Sequence, residues 1–222
     1  MTQLQHSLHE QVAIRLRGEI FARTQGPGSL VDEPGLSDSL KISRTALREA
    51  LKVLASEGLV PLEPRRGSFV REVTVQDLDG KFPVLALLQG RCAFEAARNA
   101  SDADLAALDV LHVRLRKHAR SRQINAYYAT NLGIHEAIIT LANNRWLAQV
   151  IADLRKILKL ARLQQLHAPG RLAQSLDEHL SLYAALRARD SQGAEAAMRT
   201  HRTRQRDVLR ELGRHRKSAL LA

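Results

Sequence analysis

Residues 36–67 constrain the fold of this chain more than any other stretch, because they hold two short helix patterns followed by a hairpin pattern. The second helix pattern is residues 43–51, SRTALREAL. Ser43 is a good N-cap, and the apolar residues after it recur every three or four positions, which gives the helix one buried face. These apolar residues are Leu47, Ala50, Leu51 and Leu54. The stretch therefore predicts two helices, a turn and a small β-hairpin.

The polar side of the second predicted helix carries Arg44, Thr45 and Arg48 on its first turns. In a helix-turn-helix, such side chains contact base edges, and arginine can grip guanine with two donors. Residues 59–63 and 68–72 predict the two strands of the hairpin. The basic hairpin tip holds Arg65, Arg66 and Gly67. The ordered combination predicts a winged helix-turn-helix that binds DNA; the alternative is a basic surface helix beside an ordinary hairpin.

Three segments of this region resemble the signature of the GntR family of bacterial transcription regulators. They are residues 43–51, residues 57–60 (EGLV) and residues 67–70 (GSFV). The resemblance implies that Arg44 and Arg48 are the main readers of bases or phosphates, with Ser43 and Thr45 in support. It also implies that Gly67 lets the wing approach the DNA backbone.

Composition limits the remaining fold and the compartment. Only 4% of the 222 residues are aromatic, so leucine, alanine, valine and isoleucine must fill the cores, as helix bundles allow. The single cysteine, Cys92, excludes an intramolecular disulfide and fits a reducing cytoplasm, where we expect it as a buried small side chain. No apolar run reaches about 18 residues and no signal peptide opens the chain, so we expect a cytoplasmic protein without a membrane partner.

The net charge of +11 is unevenly distributed. Residues 1–75 hold ten basic and nine acidic residues, whereas residues 76–222 hold 24 and 14. A cationic C-terminal half suits an anionic small ligand, or long-range attraction to DNA.

The pattern along the chain predicts a mainly α fold with two domains. The domains are residues 1–73 and residues 81–222, joined by a linker at residues 74–80. A first amphipathic helix is predicted at residues 6–24, and the chain is predicted to be helical from Phe82 onward. Later helices are predicted near residues 101–120, 125–142, 146–166, 172–189 and 194–212. Together they would form an antiparallel bundle of six or seven helices.

Three histidines at the centres of separate predicted helices form a candidate metal site. Asn131 and His135 are four residues apart and therefore share one helix face. His179 and His201 lie on two later helices that antiparallel packing would bring together. Three imidazoles with one oxygen donor suit a divalent metal such as Zn, Ni or Mn. Core or surface positions without a metal are the alternative for each histidine.

The helical half also resembles the effector-binding C-terminal domain, FCD-like, of the FadR-type branch of the same family. The matching pieces are Asn131-x3-His135, Asn144-x2-Leu147, Glu178-His179 and Met198-x2-His201. Many members of this branch hold a metal through three histidines and an aspartate, and here Asn131 stands at the aspartate position. An amide is a neutral and weaker ligand than a carboxylate, so we expect weaker metal binding.

Further ligand-binding residues follow from the same resemblance. Arg91 is similar to an arginine that reaches the effector in some relatives, and Asn144 is a second candidate. Another alignment places Gln89 at the Arg91 position, and a buried Arg91–Glu95 pair is the structural alternative. The remaining histidines are expected on the surface: His6, His9, His112, His118, His167 and His215.

These observations predict a homodimeric, ligand-responsive transcription regulator, most simply a repressor of a metabolic operon. Its partners would be a double-stranded DNA operator and a small organic acid, and it would not be an enzyme. One alternative is a helical metal-dependent hydrolase that uses the three histidines. Glu136 and Glu178 are each adjacent in sequence to a histidine and therefore lie about 100° around the helix from it. This position leaves the hydrolase without a strong general base. The other alternative is a DNA-binding protein without sequence preference, for which basic charge would be enough.

Overall fold

The computed structural model describes residues 7–21, 24, 26–63 and 67–220. The chain divides into two compact units, whose boundary in the sequence lies between Val73 and Thr74. Residues 156–160 group with the first unit, and the other residues after Val73 form the second. Both units are built mainly from helices, which confirms the predicted fold class.

The first unit contains three helices and a two-stranded hairpin within its described residues. Their bounds are α1 (Leu8–Phe21), α2 (Glu33–Leu40), α3 (Arg44–Ser56), β1 (Leu62–Glu63) and β2 (Gly67–Ser68). The strands are antiparallel, with Leu62 opposite Ser68, and an isolated bridge joins Leu30 to Phe69. This order of elements is that of a winged helix-turn-helix, as the sequence predicts.

The apolar face of α3 anchors it in the core of the first unit. Its buried residues are Leu47, Ala50, Leu51 and Leu54, each at most 1% exposed. They pack in one hydrophobic cluster with Val12, Leu16 and Ile20 of α1. Burying one such leucine contributes roughly 1.5–3 kcal/mol. Because this face is buried, the polar face of α3 is held toward solvent.

The hairpin strands are shorter than the predicted residues 59–63 and 68–72. Pro61 has no N–H and interrupts the ladder of hydrogen bonds on its arm. Arg71 N still donates to Leu59 O at 2.8 Å, so the two arms remain paired beyond the regular strands.

The described part of the chain after Val73 forms six helices and one short 3-10 turn, which belong to the second unit except for residues 156–160. The helices are α4 (Val75–Asn99), α5 (Asp102–Arg120), α6 (Ile124–Leu141), α7 (Arg145–Gln164), α8 (Arg171–Arg187) and α9 (Ser191–Leu220). The 3-10 turn, Gln165–His167, lies between α7 and α8. α4 and α8 both pack on α9, and α5 packs on α6 and α8. The predicted all-helical bundle is confirmed.

The predicted linker at residues 74–80 is wrong, because these residues begin α4. Thr74 is the N-cap, and its Oγ1 accepts a hydrogen bond from Asp77 N at 3.0 Å. The Asp77 carboxylate in turn accepts from Thr74 N at 3.0 Å, which completes a capping box. This reciprocal pair satisfies backbone donors at the helix start and fixes it here, several residues before Phe82.

The buried face of α4 is lined by small and apolar side chains, with Phe82, Leu85 and Cys92 each at most 1% exposed. Burial raises the pKa of the Cys92 thiol to about 11. Cys92 therefore packs as a small hydrophobic side chain, as expected. Within the described residues, no helix is both long and apolar enough to cross a lipid bilayer.

Candidate DNA-contacting surface and buried histidine cluster

The first turns of α3 present a polar surface. Ser43 is the N-cap, and its Oγ accepts a hydrogen bond from Ala46 N at 3.2 Å. Arg44, Thr45 and Arg48 are exposed, as is Ser43 itself. The free N–H groups at the helix start add positive potential to that of the two arginines. The four predicted DNA contacts on this helix therefore lie together on one accessible surface.

Glu33 belongs to this surface and was not among the predicted residues. Its Oε2 lies 3.6 Å from Arg48 Nε, and its Oε1 accepts a hydrogen bond from Ser68 Oγ at 2.8 Å. Glu33 thus connects α2, α3 and the hairpin. Since the Arg48 side chain is 73% exposed, the ion pair holds it only loosely and leaves it able to turn toward a ligand. Nothing in the local spacing distinguishes Glu33 from an ordinary acidic residue at a helix start.

The predicted wing tip is described only in part. Arg65 and Arg66 lie outside the described residues. Gly67 has φ of 88°, a left-handed conformation that favours glycine, and a Cβ there would lie 3.4 Å from Leu30 Cδ1. Glycine at this position therefore has a backbone reason, independent of any contact with DNA.

Three histidines from three helices meet in the interior of the second unit. They are His135 of α6, His179 of α8 and His201 of α9, each 1% exposed. Their ring centroids lie 4.8 to 5.2 Å apart. One nitrogen atom of each ring lies within 4.8 Å of the other two. The structure thus brings together the three histidines that the sequence singled out.

Asn131 completes this group, which we call the histidine cluster. Its side chain is 5% exposed, and its Nδ2 lies 2.8 Å from His179 Nε2. Two ligand atoms of one zinc-sized ion lie about 3.0–3.4 Å apart, a similar separation. Half a turn of the amide would place Oδ1 where Nδ2 lies. Three imidazoles and an amide that can present its oxygen are all metal-ligating groups, so the donor set fits a cation.

The protonation state of His179 also suits a metal ligand. Burial, followed by the electrostatic influence of the neighbouring His201, holds the pKa of His179 well below its ordinary value of 6.5. The ring is therefore neutral at pH 7 and carries a lone pair. Neutral imidazole is the form that binds metals.

A buried ion pair lies beside the cluster. His201 Nδ1 lies 2.6 Å from Glu178 Oε2, and Arg171 donates two hydrogen bonds of 2.8 Å to the two Glu178 oxygens. Arg171 Nε also donates to Gln165 Oε1 at 2.5 Å. The carboxylate favours the His201 tautomer that has its proton on Nδ1, in which Nε2 carries the lone pair. Arg171 and Gln165 were not among the predicted site residues.

His112 was predicted on the surface, and this prediction is wrong. The side chain is fully buried on α5, and its ring stacks on Tyr183 with centroids 4.2 Å apart. Its Nδ1 lies 2.7 Å from Leu108 O. The His112 and His179 ring centroids are 6.2 Å apart. Burial, the largest influence, lowers the pKa of His112 from its ordinary value of 6.5.

We expect the free energy of unfolding to depend less on pH below pH 7 in His112→Phe than in the wild type. Above about pH 6.5, a histidine whose pKa is lowered in the folded state is largely neutral in both the folded and the unfolded protein. Below that pH, its side chain takes up a proton when the protein unfolds, which favours the unfolded state. The free energy of unfolding should therefore fall more steeply from pH 7 to pH 5 in the wild type, by up to roughly 1.4 kcal/mol per pH unit per proton. Urea denaturation of metal-free protein at several pH values measures this difference. Parallel profiles for the two proteins would contradict it.

Phenylalanine preserves the ring that stacks on Tyr183, so the variant should remain folded. An exposed histidine provides the control: His167→Phe should leave the pH profile unchanged.

The structure places Arg91 and Gln89 on different sides of α4. Arg91 pairs with Glu95 on the surface and lies over the Phe94 ring, with its own side chain 53% exposed. The Arg91–Glu95 pair, which was the structural alternative to effector binding, thus forms, but it is partly exposed and not buried. Gln89 is 1% exposed and accepts a hydrogen bond from Arg202 Nε at 2.7 Å. Of the two residues that the alignments select, Gln89 thus lies in the interior and Arg91 on the surface.

Asn144 has a local structural role. Its Oδ1 accepts hydrogen bonds from Trp146 N at 3.0 Å and from Leu147 N at 3.1 Å, and the residue is exposed. It thereby caps the start of α7. Its Oδ1 is therefore used by the backbone, and a contact between Asn144 and a ligand stays a prediction.

Two family matches agree with this division of the chain. Residues 8–70 match the family described as bacterial regulatory proteins, gntR family. Residues 82–204 match the FCD domain. The first match spans α1 to the hairpin, and the second contains all four residues of the histidine cluster.

Individual relatives extend over most of the chain. It is 23% identical over 194 residues to the HTH-type transcriptional repressor RspR of Escherichia coli (strain K12), covering 87% of this chain and 85% of the relative. It is 24% identical over 188 residues to the gluconate operon transcriptional repressor of Bacillus licheniformis, covering 81% and 76%. The solved structure of E. coli McbR/YncC superposes with a TM-score of 0.72 at 24% identity, covering 94% of this chain and 99% of that one.

Proposed function

Since the chain belongs to the GntR family of bacterial regulatory proteins and carries its FCD domain, it is a DNA-binding transcription regulator, and we propose that it is a metal-dependent repressor that senses a small organic acid. The main support for effector sensing through a metal is that His135, His179 and His201 lie close together in the buried interior. The site for DNA would be the exposed first turns of α3, and the protein would act in the cytoplasm.

The DNA part of the proposal rests on Arg44, Thr45 and Arg48. All three are exposed on the first turns of a helix whose other face is buried, which is the geometry that a recognition helix needs in a major groove. As a homodimer, the protein would place two such helices in half-sites about 34 Å apart. The operator would then be a pseudo-palindrome.

We expect Arg48→Ala to weaken specific DNA binding by about 1–3 kcal/mol, or roughly 5- to 150-fold, because a bidentate base contact is lost. The operator would be selected from a random DNA library with wild-type protein, and affinities measured by fluorescence anisotropy at fixed salt. Arg15→Ala is the matched control, since this arginine is 63% exposed on α1 and pairs with Glu19. Equal operator affinity for the wild type and Arg48→Ala would contradict the assignment.

The metal part of the proposal rests on the fit of the histidine cluster to a divalent cation. Asn131, His135, His179 and His201 would hold it, and Zn, Ni and Mn are the candidates. A bound divalent ion would supply a positive charge to which a carboxylate oxygen of the effector could bind. Glu178 would keep His201 in the ligating tautomer, since ligand histidines commonly donate their other N–H to a carboxylate.

Elemental analysis of the purified protein, followed by Zn²⁺ titration after chelation, tests this part. We expect about one metal ion per chain in the wild type and loss of that ion in His179→Ala, because one of three nitrogen ligands is removed. His167→Ala, at an exposed position, should bind as the wild type does. Absence of metal from the wild type, or an unchanged titration of His179→Ala, would rule the site out.

The effector would act by binding one arrangement of the dimer more tightly than another. Its differential affinity for the two arrangements sets how far it can shift DNA binding. The hydrolase alternative is not favoured, since the relatives are regulators and both Glu178 oxygens already accept hydrogen bonds from Arg171. Glu136 is 61% exposed and lies 3.5 Å from Arg155, so it is not a buried base beside the cluster.

A further inference from the structure

The histidine cluster lacks the negative charge that a divalent cation would need. Its residues are one amide and three imidazoles, and the imidazoles bind metals in their neutral form. In the part of the chain that the structure describes, no carboxylate joins the group of ligand atoms. The residues of the cluster would therefore leave the charge of a bound divalent ion uncompensated in a buried site, where unbalanced charge is costly.

The carboxylate that touches the cluster cannot balance this charge. Glu178 already forms two hydrogen bonds with Arg171, and the two side chains are 2% and 1% exposed. Arg204 Nη1 lies 3.8 Å from Glu178 Oε1 and adds a second positive charge. The charge of Glu178 is thus matched or exceeded by arginines before any metal is considered.

Two further buried donor groups belong to Arg202 of α9 and Gln89 of α4. Arg202 follows His201 in sequence and is fully buried, and its guanidinium donates to the neutral side-chain oxygens of Gln89 at 2.7 Å and Gln205 at 2.8 Å. Gln89 Nε2 is also buried and has no acceptor among the described residues. A buried amide donor without an acceptor favours a ligand that brings acceptor oxygens.

We propose that the effector is a dianion, such as a dicarboxylate, and that the neutral residue Asn131 at the metal site sets this requirement. This inference rests on the proposed metal-dependent sensing. One carboxylate would balance half of the charge of the cation, and the second would balance the remainder. With an aspartate at position 131, the protein itself would supply one negative charge, and a monoanion would be sufficient.

Matched ligand pairs test the charge requirement. Malonate and succinate would be compared with malonamate and succinamate, in which one carboxylate is replaced by a neutral amide of similar shape. Zn²⁺ alone is titrated first, and anion affinities of the Zn²⁺-loaded protein are then measured by calorimetry and thermal shift. We expect at least one dianion to bind about tenfold or more tightly than its monoamide, as one extra charge near a partly screened cation implies.

The variant Asn131→Asp should weaken this preference for the dianion. It should bind Zn²⁺ more tightly, a result measured without any anion, and should reduce the advantage of the dianion several-fold. Asn125→Asp is the matched control, because it adds the same charge at an exposed position in the first turn of α6, the helix that also holds Asn131, where an acidic side chain is favourable. It should change neither affinity.

The outcomes separate the two proposals. If Zn²⁺ binds but the paired ligands bind equally, or no dianion binds, the charge requirement is wrong and the metal site stands. If Zn²⁺ does not bind to the wild type, the metal-dependent function fails, and the inference fails with it.

Discussion

Replacing Arg171 with methionine should lower the free energy of unfolding of the second unit by about 3–5 kcal/mol, because the change leaves the charge of Glu178 buried without its main partner. Arg171 is 1% exposed and donates to both carboxylate oxygens of Glu178. Its Nε bond to Gln165 is lost as well. Methionine occupies a comparable volume, so the loss reports the charge and the hydrogen bonds more than a cavity. Urea denaturation of metal-free protein, followed by circular dichroism, measures it.

A double variant distinguishes a stranded charge from lost packing. Arg171→Met combined with Glu178→Leu removes both charges, and it should be more stable than Arg171→Met alone. Arg210→Met is the control, since the Arg210–Asp79 pair is partly exposed and worth about 0–1 kcal/mol. If the double variant loses as much free energy of unfolding as Arg171→Met and Glu178→Leu lose together, the ion pair is not the cause of the destabilisation.

Leu51→Ala should destabilise the first unit by about 2–5 kcal/mol, because it opens a cavity in the cluster that holds α3. Leu51 is 1% exposed and packs with residues from α1 and α3. Amides of α3 should exchange faster with deuterated solvent, and operator affinity should fall, although residue 51 faces away from the DNA-contacting surface. Hydrogen exchange and fluorescence anisotropy measure the two effects.

Lys52→Ala is the control on the same helix. Lys52 is adjacent in sequence, but its side chain is 62% exposed, so its removal should leave the exchange of the α3 amides nearly unchanged. Slow exchange that persists in Leu51→Ala would mean that the core repacks around the smaller side chain, and would contradict the expected loss.

The recognition helix was predictable because its signals are local. Ser43 caps it, and the spacing of Leu47 and Leu51 defines its buried face. The start of α4 was missed, although Thr74 and Asp77 have the same capping-box spacing as Ser101 and Asp104, which begin the helix predicted near residues 101–120. The difference is that Gly80 and Pro83 follow Thr74, and both residues are typical of helix breaks.

The interior of the second unit was less predictable, because the residues that contact one another there are distant in the sequence. The resemblance selected His135, His179 and His201, and the fold brings them together. His112 had a usable signal, since Leu108 and Leu115 share its helix face at spacings of four and three. Arg171 and Glu178 are seven residues apart, two helical turns, which places them on one face. Whether such a pair is buried depends on the neighbouring helices, so spacing alone did not reveal it.

Cys92 makes the second unit suitable for thiol-labelling kinetics. Only the thiolate reacts with alkylating reagents, and this thiol is fully buried with its pKa raised to about 11. The sequence has no second cysteine to compete for reagent. Each labelling event would therefore record one transient opening around α4. The labelling rate in native buffer would measure the local stability of this helix without denaturant or an attached probe.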